Sequence, residues 1–446
     1  MMMKRMGAWM LLALLTLVGE WYGRCYGCLE EERIGLLEIK ALDGFYLRDW
    51  VDSSNCCEWS GIECDNTTRR VIQLSLRGAG HPTFSLSDLS DWVLNASLFQ
   101  PFKELRSLDL GFTGLVGCME NEGFEVLSSK LRELYLYYNR FNNDKSILSC
   151  FNGNLSTLKS LDLSDNRLTA GSGGSFYGLK VLSSRLKKLE NLHLSGNQYN
   201  DSIFPSLTGF SSLKYLDLSY NQLIGSGFQL QPMRLGKLEN LDLSGNQLNS
   251  SILSILSGLS SLKSLDLSRN KLTGSINSFQ LQPVRLGKLE NLDLSWNQCN
   301  DSIFPSLAGF SSLKSLNLSG NELTGSGFEI ISSHLGKLEN LDLSSNTFNN
   351  NIFSHLRGLS SLKSLKLSYN EWTGSTTVNG TFFNSSTLEE LHLDNTSLPI
   401  NFLLNIGALS ALKILSVAEC DLHGTLPAQG WCELKNLKQL DLARNN

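Results

Sequence analysis

The chain has 446 residues, 41% of them hydrophobic and 18% charged, and a formal net charge of −5. A chain of this size and composition can bury a large core, and its weakly acidic balance excludes nucleic acid and anionic membrane surfaces as natural partners. Of its 10 cysteines, four crowd the front: Cys28, Cys56, Cys57 and Cys64.

The first residues are basic at Lys4 and Arg5 and lead into an apolar run from Ala8 to Val18. That is the pattern of a secretory signal peptide, and the run is too short to span a bilayer. Residues 1–27 are read as this segment, with cleavage expected between Gly19 and Gly27, so that Cys25 lies in or beside it. Behind a signal peptide, crowded cysteines read as disulfides rather than a zinc site. The preferred pairing is Cys28 with Cys56 and Cys57 with Cys64, which sequence alone does not fix. Between them, Glu30, Glu31 and Glu32 open a helical stretch that ends at Lys40, the charge order favoured by the helix dipole. Ile34, Leu37 and Ala41 are expected to form its buried face, with Trp50 and Trp59 adding bulk. Residues 28–70 are read as an N-terminal cap.

Residues 71–446 are read as repeats, the last incomplete. The frame L-x-x-L-x-L-x-x-N occurs at Leu131–Asn139, Leu158–Asn166, Leu189–Asn197, Leu213–Asn221, Leu238–Asn246 and Leu262–Asn270. It recurs at Leu289–Asn297, Leu313–Asn321, Leu338–Asn346, Leu362–Asn370 and Leu437–Asn445. Weaker copies start at Leu105, Leu388 and Leu412, with Thr113, Thr396 and Cys420 in the Asn slot, giving about fourteen units. Each unit supplies one short strand whose leucines point inward, and stacking buries a leucine face that no single unit can bury. The expected fold is an α/β leucine-rich-repeat solenoid, a horseshoe or superhelix with a concave parallel sheet, an irregular convex side and a disulfide-stapled cap. The stretch Arg77–Pro101 reads as an inserted loop, and Arg167–Leu189 as a longer unit with Gly171–Ser175 on its outer side. The segment Gly225–Asn240 is echoed at Gly274–Asn291, which points to tandem duplication of repeat pairs.

The run Cys28-Leu-Glu-Glu-Glu-Arg33, then Trp50, then Cys56-Cys-Glu-Trp-Ser-Gly-Ile-Glu-Cys64 resembles the plant-type leucine-rich-repeat N-terminal cap. With the repeat frame, the chain resembles the ectodomain of plant receptor-like proteins, cell-surface receptors with no kinase of their own. Ile203-Phe204-Pro205, Ile303-Phe304-Pro305 and Leu426-Pro427 match the family's outer half, and most units depart from it there. The resemblance implies a protein or peptide ligand, a pathogen-derived molecule or a co-receptor held on the concave face, in defence or developmental signalling. It also implies a partner receptor kinase, passage through the secretory pathway and residence at the plasma membrane. Contact with the membrane would come only through a C-terminal segment missing from this chain, which stops at Asp441–Asn446 as an incomplete receptor would. A secreted inhibitor of cell-wall-degrading enzymes and a non-functional relic are the alternatives. Neither cofactor nor metal is expected, and the chain is read as a non-enzyme.

Large side chains just before the Asn slot are the ligand-binding candidates: Tyr137, Tyr138, Tyr220, Arg269, Trp296 and Tyr369, with Arg444 in the same row and Tyr135 beside the first pair. Exposed aromatic and Arg residues are common binding anchors. A row of strand aspartates including Asp217, Asp242, Asp266 and Asp293 reads as local hydrogen bonding in preference to calcium binding. His193 with Asp217 and Ser195 has the composition of a catalytic triad but stands on an open sheet without an oxyanion hole. Sequons at Asn66, Asn95, Asn154, Asn200, Asn249, Asn300, Asn379, Asn384 and Asn395 are glycosylation candidates, while Asn317, in the aspartate row, is read as unmodified unless the ligand sits elsewhere. Cys118 and Cys150 are expected to pair, Cys299 to be a buried thiol, and Cys420 to fill the Asn slot, with Cys432 a weaker bridge partner for it.

Overall fold

The computed structural model describes residues 27–445 except 43–46, 53, 79–90, 120–122, 125–126, 128, 143, 152–154, 170–176, 226–232, 253–255, 257, 275–285, 350–351, 371, 373–385, 399 and 426–429. The expected signal segment up to residue 26, with Cys25, therefore lies outside the described residues, as do Gly171–Ser175 and the sequons at Asn154, Asn379 and Asn384. The chain divides into two units. One comprises residues 1–168 with 184–189, and the other 169–183 with 190–446.

The first unit opens with helix α1 (Glu30–Lys40), acidic in its first turn and basic in its last. Its buried residues are Glu32, Gly35, Leu36 and Ile39, so the expected face was misplaced: Ile34 and Ala41 are exposed. The reason is a buried charge. Glu32 accepts from the Val71 amide (3.0 Å) and from Arg70 Nε (2.9 Å), which turns that side of the helix inward. Burial pushes the Glu32 carboxyl above its ordinary range, against the pull of those same bonds. Gly35 sits where a Cβ would stand 3.0 Å from the Pro101 ring. Disulfides Cys28–Cys56 and Cys57–Cys64 staple the cap, and Trp50 stacks on Trp59 at 5.5 Å.

Strand β1 (Ile62–Cys64) pairs antiparallel with β2 (Val71–Ser75) and turns the chain into the repeats. The small strand β3 (Trp92–Leu94) precedes the next frame strand, β4 (Ser107–Asp109), and β5 (Leu115–Cys118) follows it. Parallel pairing continues from β2 to β4, then to β6 (Glu133–Tyr135) and β7 (Ser160–Asp162). β3 and β5 form a separate parallel pair, which corrects the reading of Arg77–Pro101 as a loop. A three-residue strand surrounded by Asn, Asp and Ser carries too little alternation to be seen in sequence. Cys118 is bonded to Cys150 at the end of helix α2 (Asp144–Cys150).

The second unit is more regular. Its strands are β8 (Asn191–His193), β9 (Tyr215–Asp217), β10 (Asn240–Asp242), β11 (Ser264–Asp266), β12 (Asn291–Asp293) and β13 (Ser315–Asn317). They continue with β14 (Asn340–Asp342), β15 (Ser364–Lys366), β16 (Glu390–His392), β17 (Ile414–Ser416) and β18 (Gln439–Asp441). Each pairs in parallel with the next, leucine opposite leucine, as in Leu216 to Leu241 to Leu265. These central leucines are buried, each worth roughly 1.5–3 kcal/mol of transfer free energy. The side opposite the strands is irregular, with 3₁₀ turns such as Asp201–Ile203 leading into one-turn helices such as Phe204–Leu207. There Phe304, Phe328 and Phe348 pack edge to face at 5.4 and 6.1 Å.

The Asn slot ties neighbouring repeats together. Asn246 donates from Nδ2 to the carbonyls of Leu218 (2.9 Å), Leu243 (3.0 Å) and Ser244 (3.1 Å). Its Oδ1 accepts from the amides of Asn221 (3.2 Å) and Leu223 (3.1 Å). One buried amide thus satisfies five backbone groups where the chain leaves the strand. Thr396 and Cys420 substitute in part: the Thr396 hydroxyl and the Cys420 thiol each donate to the Leu393 carbonyl. Cys420 is a free thiol and so is Cys432, which sets aside the bridge between them; Cys299 is free and buried.

Candidate functional site

The residue just before the Asn slot adopts left-handed backbone in every copy of the frame. In the first unit these are Phe112, Tyr138 and Asp165; in the second they are Gly196, Tyr220, Gly245, Arg269, Trp296, Gly320, Ser345, Tyr369, Asn395, Glu419 and Arg444, all with φ between 49° and 65°. The geometry follows from the turn that lets the Asn side chain reach back under the strand. Sheet hydrogen bonding persists through it, with Tyr220 N donating to Ser244 O and Trp296 N to Ser319 O, both at 2.8 Å. Glycine takes this conformation freely, whereas an L side chain loses about 1–2 kcal/mol. Bulky residues there are therefore not explained by local stability.

Tyr220, Trp296 and Tyr369 are 58%, 56% and 59% exposed, far from the ordinary fate of large aromatics. Two of the rings rest on glycine. A Cβ on Gly245 would stand 2.7 Å from the Tyr220 ring, and one on Gly320 would stand 2.7 Å from the Trp296 ring. Arg269 holds its guanidinium carbon 6.0 Å from the centre of the Trp296 ring. The structure thus places Tyr220, Arg269, Trp296 and Tyr369 in one row, with Arg444 further along paired to Glu419. The supporting glycines went unnoticed in sequence, although Gly245 and Gly320 occupy the same frame position as the aromatics.

In the first unit, Tyr138 stacks on Phe112 at 4.5 Å and meets Tyr137 edge-on at 6.3 Å. Phe112 is a further member of the row that sequence reasoning missed, because its frame ends in Thr113. Tyr137 lies over Gly111, beneath Arg77 at 5.4 Å, and Tyr135 donates to Glu133 at 3.2 Å. Burial pushes both the Tyr135 and the Tyr137 phenols up to about 12.

The strand aspartates turn back onto their own chain. Asp217, Asp242, Asp266 and Asp293 each accept the amide two residues ahead at 2.8–2.9 Å. Burial, then the neighbouring carboxylates, raise the Asp242 and Asp266 carboxyls above their usual range. Asn317 takes the same role and donates from Nδ2 to Asp293 at 2.8 Å. His193 Nδ1 stands 4.0 Å from Asp217, beyond hydrogen-bonding distance, and its ring lies against Tyr215 at 4.8 Å. Of the described sequons, Asn66, Asn200 and Asn300 are exposed, Asn95 and Asn249 are half-buried in turns, and Asn395 is half-buried with left-handed backbone. Among the described residues no cluster could hold a metal ion and no helix is long and apolar enough to cross a membrane.

Sequence alternates in another row that the spacing had not revealed. Lys214, Lys263, Lys314, Lys363 and Lys413 reach Glu190, Glu239, Glu290, Glu339 and Glu389 of the preceding repeat at 2.7–2.8 Å. These exposed pairs hold the Glu239, Glu290, Glu339 and Glu389 carboxyls below their ordinary value.

Comparison with known proteins agrees with this architecture. The family model for the leucine rich repeat N-terminal domain matches residues 29–65, and leucine rich repeat models match 154–175, 211–227, 237–259, 261–280 and 311–329. Receptor-like protein 13 of Arabidopsis thaliana is 33% identical over 325 residues, 71% of this chain and 23% of its own length. Cuscuta receptor 1 of Solanum lycopersicum is 33% identical over 237 residues, 45% of this chain and 21% of its own. The chain therefore spans about a fifth of the length of these relatives. Among solved structures, an internalin of Listeria monocytogenes superposes with a TM-score of 0.54 at 20% identity, covering 85% of this chain and 92% of that one. The PEPR1–AtPEP1 crystal structure gives 0.50 at 23% identity, covering 94% and 59%. At that identity the likeness speaks to the fold alone. Cap, repeat frame and receptor-like relatives together make this chain similar to the leucine-rich-repeat receptor-like proteins of plants.

Proposed function

We propose that this chain is the extracellular recognition part of a plant receptor-like protein, and that it holds a protein or peptide ligand on the strand-side face of its repeats. The observation that carries this reading is the row of Tyr220, Trp296 and Tyr369, more than half exposed and held in a left-handed backbone that glycine would occupy at lower cost. Aromatic side chains of this kind supply large, rigid contact area. Passage through the secretory pathway, residence at the cell surface, glycosylation, signalling through a partner receptor kinase and a role in defence or development belong to the same reading and rest on the family. Recognition, not catalysis, is the mechanism.

The test uses the full chain, secreted and immobilised, and the peptide fraction of extracellular fluid from the source tissue. Retention of a peptide by the native chain and its loss in the combined Tyr220→Ala, Trp296→Ala, Tyr369→Ala variant is the expected result. Equal retention by both would remove the aromatic row from the site. Inhibition of a polygalacturonase by the native chain would instead favour a secreted inhibitor of wall-degrading enzymes.

A further inference from the structure

The anchors of the second unit keep a fixed step. Tyr220, Trp296 and Tyr369 follow β9, β12 and β15, three strands apart each time. Neighbouring strands lie about 4.8 Å apart, so each step is ~14 Å. Sheet hydrogen bonds run through these very residues, which keeps that spacing in the backbone that carries the rings. An extended peptide advances about 3.3–3.4 Å per residue, so four residues also span ~14 Å, and residues i, i+4 and i+8 project from one face.

The two intervals differ in chemistry. Gly245 and Arg269 lie between Tyr220 and Trp296, whereas Gly320 and Ser345 lie between Trp296 and Tyr369. Arg269 N donates to Ser295 O at 2.8 Å, but among the described residues its guanidinium makes no hydrogen bond or ion pair and lies over the face of Trp296. A guanidinium in that setting, with donors unspent, matches a carboxylate. Charge therefore marks the first interval and not the second, which gives the row a direction.

We propose that this row reads an extended peptide crossing the strands, with apolar side chains four residues apart on Tyr220, Trp296 and Tyr369 and an acidic side chain between the first two. The proposal rests on the reading that the strand side binds a peptide, and it deepens that reading into a register. The glycines at Gly245 and Gly320 set the depth of the platform, because any side chain there would lift the rings off the repeat beneath.

The test is selection from a displayed library of random twelve-residue peptides on the full secreted chain, with an array of neutral and acidic oligosaccharides as a second probe. The expected result is enrichment of apolar residues at i, i+4 and i+8, with Asp or Glu at i+2 or i+3. Tyr220→Asn, Trp296→Asn and Tyr369→Asn should each weaken the selected peptides about tenfold and erase the preference at one of those positions. Arg269→Gln should erase only the acidic preference. Asn tolerates left-handed backbone, so thermal melts should stay unchanged and separate lost recognition from lost folding. Enrichment without four-residue spacing, yet abolished by the three Asn substitutions together, would overturn the register and leave the binding face standing. Peptides insensitive to all four substitutions, or no enrichment at all, would overturn both. Binding of an oligosaccharide in preference to any peptide would overturn the ligand class.

Discussion

Asn221 Nδ2 donates to the Leu194 carbonyl, 3.0 Å away in the preceding repeat, while its Oδ1 takes the Tyr199 amide at 3.0 Å. The Asn slot is thus a clamp between consecutive turns as much as a feature of one turn. Asn246→Ala removes buried partners from three carbonyls and two amides. The expected loss is about 3 kcal/mol, read as a lower urea midpoint. Asn246→Thr keeps a hydroxyl donor, as Thr396 does naturally, and should lose about half as much.

The aspartate row carries a pH dependence of unusual sign. The folded-state carboxyl of Asp266 is raised above its ordinary 3.8 by burial and by the charges of Asp293 and Asp242. Between that ordinary value and its raised one, the native state binds more protons than the unfolded chain. Its contribution to stability is therefore lost as pH rises through that window. Asp266→Asn removes the ionisation while keeping an oxygen for the Ser268 amide, as Asn317 keeps one for Ser319. The variant should unfold at higher urea than the native chain at pH 7, with the gain disappearing below pH 3.8.

Thiol reactivity should sort the free cysteines by burial. Cys299 is fully covered and its thiol is pushed up to about 12 by desolvation. Cys420 is buried with its thiol bonded to the Leu393 carbonyl, whereas Cys432 is exposed. A thiolate-specific reagent at pH 8 should label Cys432 within minutes and reach Cys299 and Cys420 only after unfolding, as peptide mapping would show. Rapid native labelling of Cys299 would contradict the packing described.

Charge reversal tests the lysine–glutamate row. Lys263 reaches Glu239 at 2.8 Å, with Glu290 just ahead of β12 on its other side. Lys263→Glu sets a third carboxylate between those two. The melting temperature should fall at 10 mM salt and recover substantially at 300 mM, because exposed charges are screened over that range.

The strand frame was legible because its determinants are local. Two leucines at alternate positions and an Asn three residues on fix a strand, its inward face and its exit within nine residues. The cap disulfides were legible for a similar reason, with Cys56 and Cys57 adjacent and Cys64 close behind. The face of α1 was not, because it turns on Glu32, a charged residue whose burial depends on Val71 and Arg70 far along the chain. The left-handed position was hidden because Tyr, Gly, Arg, Trp, Ser, Asp and Glu all occupy it, so no residue type advertises the backbone. The candidate residues themselves were visible as large side chains in a variable column. Their common conformation and the glycines beneath them required coordinates.

The lysine–glutamate row also sets a rule for how such an array can change length. From Glu190 to Lys413 acid and base alternate from one repeat to the next, so excising a single repeat within that stretch would bring two carboxylates or two ammonium groups face to face. Removing or adding two repeats restores the alternation. The step of a pair is the one seen in sequence, where Gly225–Asn240 is echoed at Gly274–Asn291. Electrostatics along this exposed edge therefore favours the repeat pair over the single repeat as the unit in which the stretch can be lengthened or shortened without setting like charges together.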